Sequence, residues 1–151
     1  MAVTFRKARL EERATLEALQ RRASLSNDAY REDLLAHPEA IDLPAAHIEG
    51  GGTIVAERDG EVAGFAVLLL SPDEAAELDG LFVEPSAMKG GIGSGLVAEA
   101  ASLARRRGAP RLTVVAAPQA QEFYRRCGFA IVGEVPTQFG LAVALAMDLR
   151  A

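Results

Sequence analysis

The chain has 151 residues but only one cysteine, two histidines, no tryptophan and an aromatic fraction of 5%. Each scarcity removes a class of function. With Cys127 alone, no disulfide forms within one chain and no cysteine-based zinc site can be assembled. His37 and His47 are too few for a multi-histidine centre, so no metal is expected, and both are read as surface residues. Few aromatic rings leave little for stacking on bases. Lys and Arg number 16 against 21 Asp and Glu, and the resulting net charge of −5 disfavours a phosphate backbone as partner. The longest apolar run, 62–70, is about half a membrane span. Glu11 and Glu12 follow Arg6, Lys7 and Arg9 where a signal peptide would turn apolar. The expectation is a cytoplasmic protein with no nucleic-acid or membrane partner, folded as a single domain over 1–151. A chain of this length buries roughly two-thirds of its unfolded surface, so it needs no covalent staple.

What is present reads as a mixed sequence of strands and helices. Residues 3–9 alternate weakly and predict an edge strand. Residues 10–23 are rich in Glu, Arg, Leu and Ala, good helix formers, with Leu16, Leu19 and Ala23 on one stripe. A short helix is predicted from Asn27 or Asp28 to Leu35, and 38–52 reads as a long loop. The runs 53–57 and 61–70 flank Asp59-Gly60, a hairpin signal. Residues 77–83 form a further strand. Residues 92–107 are the clearest helix, with Ile92, Leu96, Val97, Ala100, Leu103 and Ala104 on one face and Gly108 at its end. A strand at 112–116, a short helix at 119–127 and strands at 129–132 and 141–149 complete the order. It predicts a mixed α/β sheet with helices on both faces.

The most informative stretch lies between a strand and that helix: Gly90, Gly91, Gly93 and Gly95, interleaved with Ile92 and Ser94 and preceded by Lys89. Glycines let a ligand approach the backbone, and a helix N-terminus presents unpaired N–H groups and a positive dipole end. The combination predicts an anion site for a phosphate or pyrophosphate. A dinucleotide fingerprint is excluded because Leu96 stands where Gly or Ala is needed and no acid lies between Glu99 and Glu122. A P-loop is excluded because the only nearby Lys precedes the glycines.

The strand 81–85 (LFVEP), the loop 91–96 (GIGSGL) and Phe123-Tyr124 followed by Gly128-Phe129 together resemble the GCN5-related N-acetyltransferases, the GNAT family. That family carries a Q/R-x-x-G-x-G/A loop opening a helix and a later F-Y-x-x-x-G-F segment, in this order. The resemblance implies an α+β fold: a central twisted, mostly antiparallel sheet of about six to seven strands with helices on both faces. It implies acetyl-CoA as co-substrate and transfer of its acetyl group to a primary amine of a small molecule or a protein. The backbone of Leu81, Phe82 and Val83 would pair with the pantetheine arm. Met88, Lys89, Gly90, Gly91, Ile92, Gly93 and Ser94 would form the pyrophosphate loop, Gln119 would bond the pantetheine, and Tyr124 would sit by the sulfur.

For the base, Glu77 and Asp79 are both candidates, with Glu57 a third. Side chains alternate along a strand, so Glu77, Asp79, Leu81 and Val83 are expected on one face. Two departures stand out: Met88 occupies the Q/R position, and Ala117 stands where a related variant has Asp. A non-catalytic acyl-CoA-binding or sensory module is therefore the first rival reading, and an unrelated phosphate binder the second. The C-terminal strands also offer an edge through which two copies can pair as a homodimer.

Overall fold

The computed structural model describes residues 3–26, 28–70, 74–87, 90–138 and 140–150. Its centre is a seven-stranded sheet in the order β1-β2-β3-β4-β5-β7-β6. The strands are β1 (Val3–Lys7), β2 (Thr53–Arg58), β3 (Glu61–Leu69), β4 (Ala76–Val83), β5 (Arg111–Ala116), β6 (Ala130–Thr137) and β7 (Gly140–Asp148). Every pairing is antiparallel except that of β4 with β5. The helices are α1 (Arg13–Leu25), α2 (Asp28–Ala36), α3 (Ala45–Glu49), α4 (Ile92–Arg106) and α5 (Gln121–Arg126). This is the mixed architecture that the residue pattern and the resemblance both imply. No helix among the described residues is long and apolar enough to cross a membrane.

Each element has a local cause. The β2–β3 hairpin turns through Asp59 at φ 55° and Gly60 at φ 82°, the pair of positive φ values that a twisted two-residue turn demands. Helix α4 buries Ile92, Leu96, Val97, Ala100, Leu103 and Ala104, one stripe at helical spacing. It ends in a Schellman cap: Gly108, at φ 84°, donates to Arg105 O at 3.0 Å and Ala109 N donates to Ala104 O at 3.0 Å. Pro136 is tolerated in β6 because that strand is the sheet edge, which lets β6 run well beyond the 129–132 segment expected from pattern.

Two apolar layers sandwich the sheet. On one face, α4 packs with Ile54, Ala66, Leu68, Leu78, Leu112 and Leu145. On the other, Leu16 and Leu19 of α1 and Leu43 and Ile48 of the 38–52 segment pack on Val55, Phe65 and Val67. That segment is therefore not the open loop expected. It contains α3, which five residues are too few to reveal by periodicity, and it is pinned by Leu43 and Ile48.

A part-buried ion cluster ties β1 to the turn before α1 and to β2. Arg6 donates to both carboxylate oxygens of Glu12, at 2.9 and 2.7 Å, and also to Glu57. Arg9 N donates to Glu12 at 2.8 Å. The Arg6 guanidinium, against the opposing effect of burial, holds the Glu12 carboxyl down at about 2, below its ordinary 4.5. The folded value lies below the unfolded one, so this contribution is present above pH 4.5 and is lost as pH falls towards 2. Denaturant titrations should lose about 1–3 kcal/mol across that window, and Glu12→Gln should flatten the loss.

Candidate functional site

The site begins with a fault in β4. Gly80 pairs with Val67 and Leu78 with Leu68, so Asp79 has no partner on β3 and forms a bulge. A bulge adds one residue and reverses the alternation beyond it. Ala76 and Leu78 face α4 before the bulge; Leu81 and Val83 face it afterwards, while Phe82 packs on the α1 side. Glu77 is thereby set on the face opposite Leu81 and Val83, and the single shared face expected from strict alternation does not exist.

The second irregularity follows at the same point. Strands β4 and β5 pair in parallel only from Ala76 to Leu78, against Leu112 to Val114, and then splay apart. The splay leaves one backbone edge of residues 79–83 unpaired and opens a cavity of about 960 Å³. Leu81, Phe82 and Val83 line one wall, and β5 lines the other from Val114 onward. Backbone N–H and C=O groups need partners, so this wall is an open strand edge suited to an extended ligand.

At the end of the cleft stands the N-terminus of α4. Gly91 is its N-cap at φ 80°, and Gly95 N makes the first turn's bond to Gly91 O at 3.0 Å. The N–H groups of Ile92, Gly93 and Ser94 precede that bond and have no helical acceptor. All three residues, with Gly91, line the cavity. A Cβ at Gly93 would stand 3.3 Å from the Phe123 ring, so α5 packs closely against the loop at this glycine. Gly90 lies just outside the cavity wall. Met88 and Lys89 lie outside the described residues.

Helix α5 closes the far side, and the F-Y-x-x-x-G-F segment is its end signal. Gly128, at φ 107°, donates to Arg125 O at 3.0 Å, and Phe129 N donates to Tyr124 O at 3.1 Å. This is a second Schellman cap, whose usual apolar contact is here Tyr124 against Phe129, ring centres 5.6 Å apart. Phe123 packs on Tyr124 in an edge-type arrangement, ring centres 5.0 Å apart. The phenol is 8% exposed and lines the cleft. Burial, with a smaller effect from Cys127, pushes it up to about 12 from its ordinary 10.0. Cys127 is itself raised by burial, which keeps it a thiol rather than a nucleophile.

Gln119 and Asp79 also line the cleft, whereas Glu77 does not. Glu57 is engaged by Arg6 and does not line the cleft. Three further features complete the site, of which the position of Arg58 had no signal in the pattern. Arg126 reaches the cleft wall. Arg58 sits beside the glycine loop, its Nη1 3.9 Å from where a Cβ on Gly90 would stand. The end of α1 forms a rim through Ala23 and Ser24. That rim is held by a bidentate ion pair of Arg22 with Glu84, at 2.8 and 2.7 Å, and the guanidinium keeps the Glu84 carboxyl below its usual range. His47, expected at the surface, has its Nδ1 buried and, among the described residues, without a hydrogen-bond partner. Such an atom costs about 1–3 kcal/mol when left unpaired.

The acetyltransferase (GNAT) family model matches residues 17–129. A GCN5-related N-acetyltransferase of Rhodopseudomonas palustris is 27% identical at a TM-score of 0.78, over 98% of this chain and 96% of that one. Apo-form YjaB of Escherichia coli is 28% identical at a TM-score of 0.71, over 97% of each. The PaiA N-acetyltransferase of Thermoplasma acidophilum, solved in complex with coenzyme A, shares the fold at 20% identity and a TM-score of 0.78, over 98% and 99%. No curated protein matches the sequence.

The two glycine caps should respond alike to a methyl group. Forcing an L side chain into positive φ costs about 1–2 kcal/mol, so Gly91→Ala and Gly128→Ala should each lower the unfolding midpoint by that equivalent. Calorimetry or denaturant titration checks the loss.

Proposed function

The chain belongs to the GNAT acetyltransferase family, and from that premise we propose that it moves the acetyl group of acetyl-CoA onto a primary amine by direct attack. The observation that carries the reading is the juxtaposition in one cleft of an open strand edge at 79–83, an uncapped helix N-terminus and a buried phenol. The edge suits the amide-bearing pantetheine arm, which adds to it as an extra strand. The N–H groups of Ile92, Gly93 and Ser94 suit the pyrophosphate, with the Arg58 charge nearby in place of the amide or guanidinium that Met88 does not supply. Gln119 offers an amide to the pantetheine.

The chemistry follows from the proton inventory. An ammonium must lose a proton before nitrogen attacks the thioester carbon. Asp79 is the carboxylate at the cleft, so it takes that proton directly or through a water; Glu77 is the more distant alternative. A C–N bond forms, the C–S bond breaks, and the electron pair leaves on sulfur. Tyr124 donates a hydrogen bond to that sulfur. A phenol near 12 against a thiol near 8.5 makes outright transfer uphill by roughly 5 kcal/mol. The phenol therefore stabilises the departing thiolate as a donor, and gives up its proton only as the second proton leaving the amine replaces it.

Tyr124→Phe should lower kcat about 100-fold and leave the KM for acetyl-CoA within about twofold, read by release of the CoA thiol. Because the phenol stays protonated far above its ordinary range, the wild-type kcat should show no alkaline fall from this group below about pH 11. An unchanged kcat in the Phe variant removes Tyr124 from the mechanism.

A further inference from the structure

On the α1 side the cleft has a cover that is held differently from the rest of the fold. Leu16 and Leu19 anchor the first half of α1 in the second apolar layer. Beyond Leu19 the helix fully buries no apolar side chain: Gln20 is buried, Arg21 and Arg22 are exposed, and Ala23, Ser24 and Leu25 are half-buried. Helix α2 is tied to this end, since Arg31 Nη1 donates to Leu25 O at 3.0 Å. Leu34 of α2 is 8% exposed and, among the described residues, belongs to neither apolar layer. It lines the cleft instead, with Ser24 and Ser26, in the same space as the strand edge at 81–83.

The cover is fastened to the sheet at Arg22. Its Nε and Nη2 donate to the two carboxylate oxygens of Glu84, at 2.8 and 2.7 Å. Glu84 follows directly on the strand edge and is fixed there by its backbone. Its N–H donates to Ala63 O at 2.8 Å, and its C=O accepts from Ala87 N at 2.8 Å. The Gln20 amide adds only a long bond, 3.4 Å to Asp42 O. A surface ion pair between two flexible side chains contributes little. Here the backbone of one partner is held, and the guanidinium fork bonds both oxygens.

We propose that Arg22 and Glu84 are positioning residues for the cofactor: they clasp the α1–α2 cover over the strand edge, and so over the acylated pantetheine arm lying on it. The inference rests on the acetyl-CoA reading above. Neither residue lines the cleft, so both act through the cover. An arm that enters under a fixed cover does not have to order Ser24, Ser26 and Leu34 as it binds. The effect is bounded by what the pair contributes to holding the cover, and it is confined to the arm. The pyrophosphate end is seated on α4, which is buried through Ile92, Leu96 and Val97 and does not depend on the clasp.

Calorimetric titration with acetyl-CoA and with 3′-phospho-ADP, the half of CoA without the arm, tests this. Arg22→Ala and Glu84→Gln should each weaken acetyl-CoA binding about three- to fivefold and leave 3′-phospho-ADP unmoved. The double variant should be no weaker than either single one. Arg22→Lys, which keeps the charge but loses the fork, should fall between, and exchanging the pair (Arg22→Glu with Glu84→Arg) should recover most of the loss. A wild-type unfolding midpoint certifies the fold of each variant. Unchanged acetyl-CoA affinity in both single variants, an equal loss for 3′-phospho-ADP, or losses that add in the double variant overturn the clasp and leave the acetyl-CoA reading intact. A wild-type protein that binds no acetyl-CoA overturns both.

Discussion

The architecture depends on how little of β4 and β5 is paired. Three residues of parallel ladder hold the two halves of the sheet together at one end, and the strands then diverge. A continuous ladder would satisfy the backbone of 79–83 and abolish the cleft. The bulge at Asp79 sits where the divergence begins, and bulges bend the strand and increase its local twist. The same residue that spoils the register is therefore one that lines the cleft.

The sheet tolerates this gap because its faces are covered independently. Helix α4 packs across β2, β3, β4 and β5 on one face, and α1 with α3 seals the other. Burying each Leu, Ile or Phe side chain contributes about 1.5–3 kcal/mol. Leu96, Leu112, Leu145, Phe65 and Leu16, all essentially inaccessible, thus outweigh a few missing ladder bonds. The gap is sited where α4 begins, so the unpaired donors of the helix and of the strand face one space. The positive end of α4 is thereby a local feature of a chain whose net charge of −5 repels phosphate at long range.

Glycine punctuation recurs with one physical meaning. Gly91, Gly108 and Gly128 each take the left-handed conformation at a helix boundary. Two of them close Schellman caps, and the cap at Gly128 also presses Phe129 onto Tyr124. The last element of the family motif is thus a structural device: the turn geometry sets the Tyr124 ring in the cleft wall.

Local physics was legible in the chain itself. The α4 stripe, the Asp59-Gly60 turn, the glycine loop and the spacing from Tyr124 to Gly128 all encode interactions between residues a few positions apart, where period and backbone preference act directly. They determined the class of fold and, α3 apart, the order of its main elements. The side on which Glu77 falls, the docking of α3, the burial of His47 Nδ1 and the approach of Arg58 to Gly90 were not legible. Each depends on a register or a packing between segments distant in sequence. The bulge is the clearest case: nothing in residues 76–83 marks Asp79 as the extra residue, because a bulge is a mismatch between two strands and belongs to neither alone.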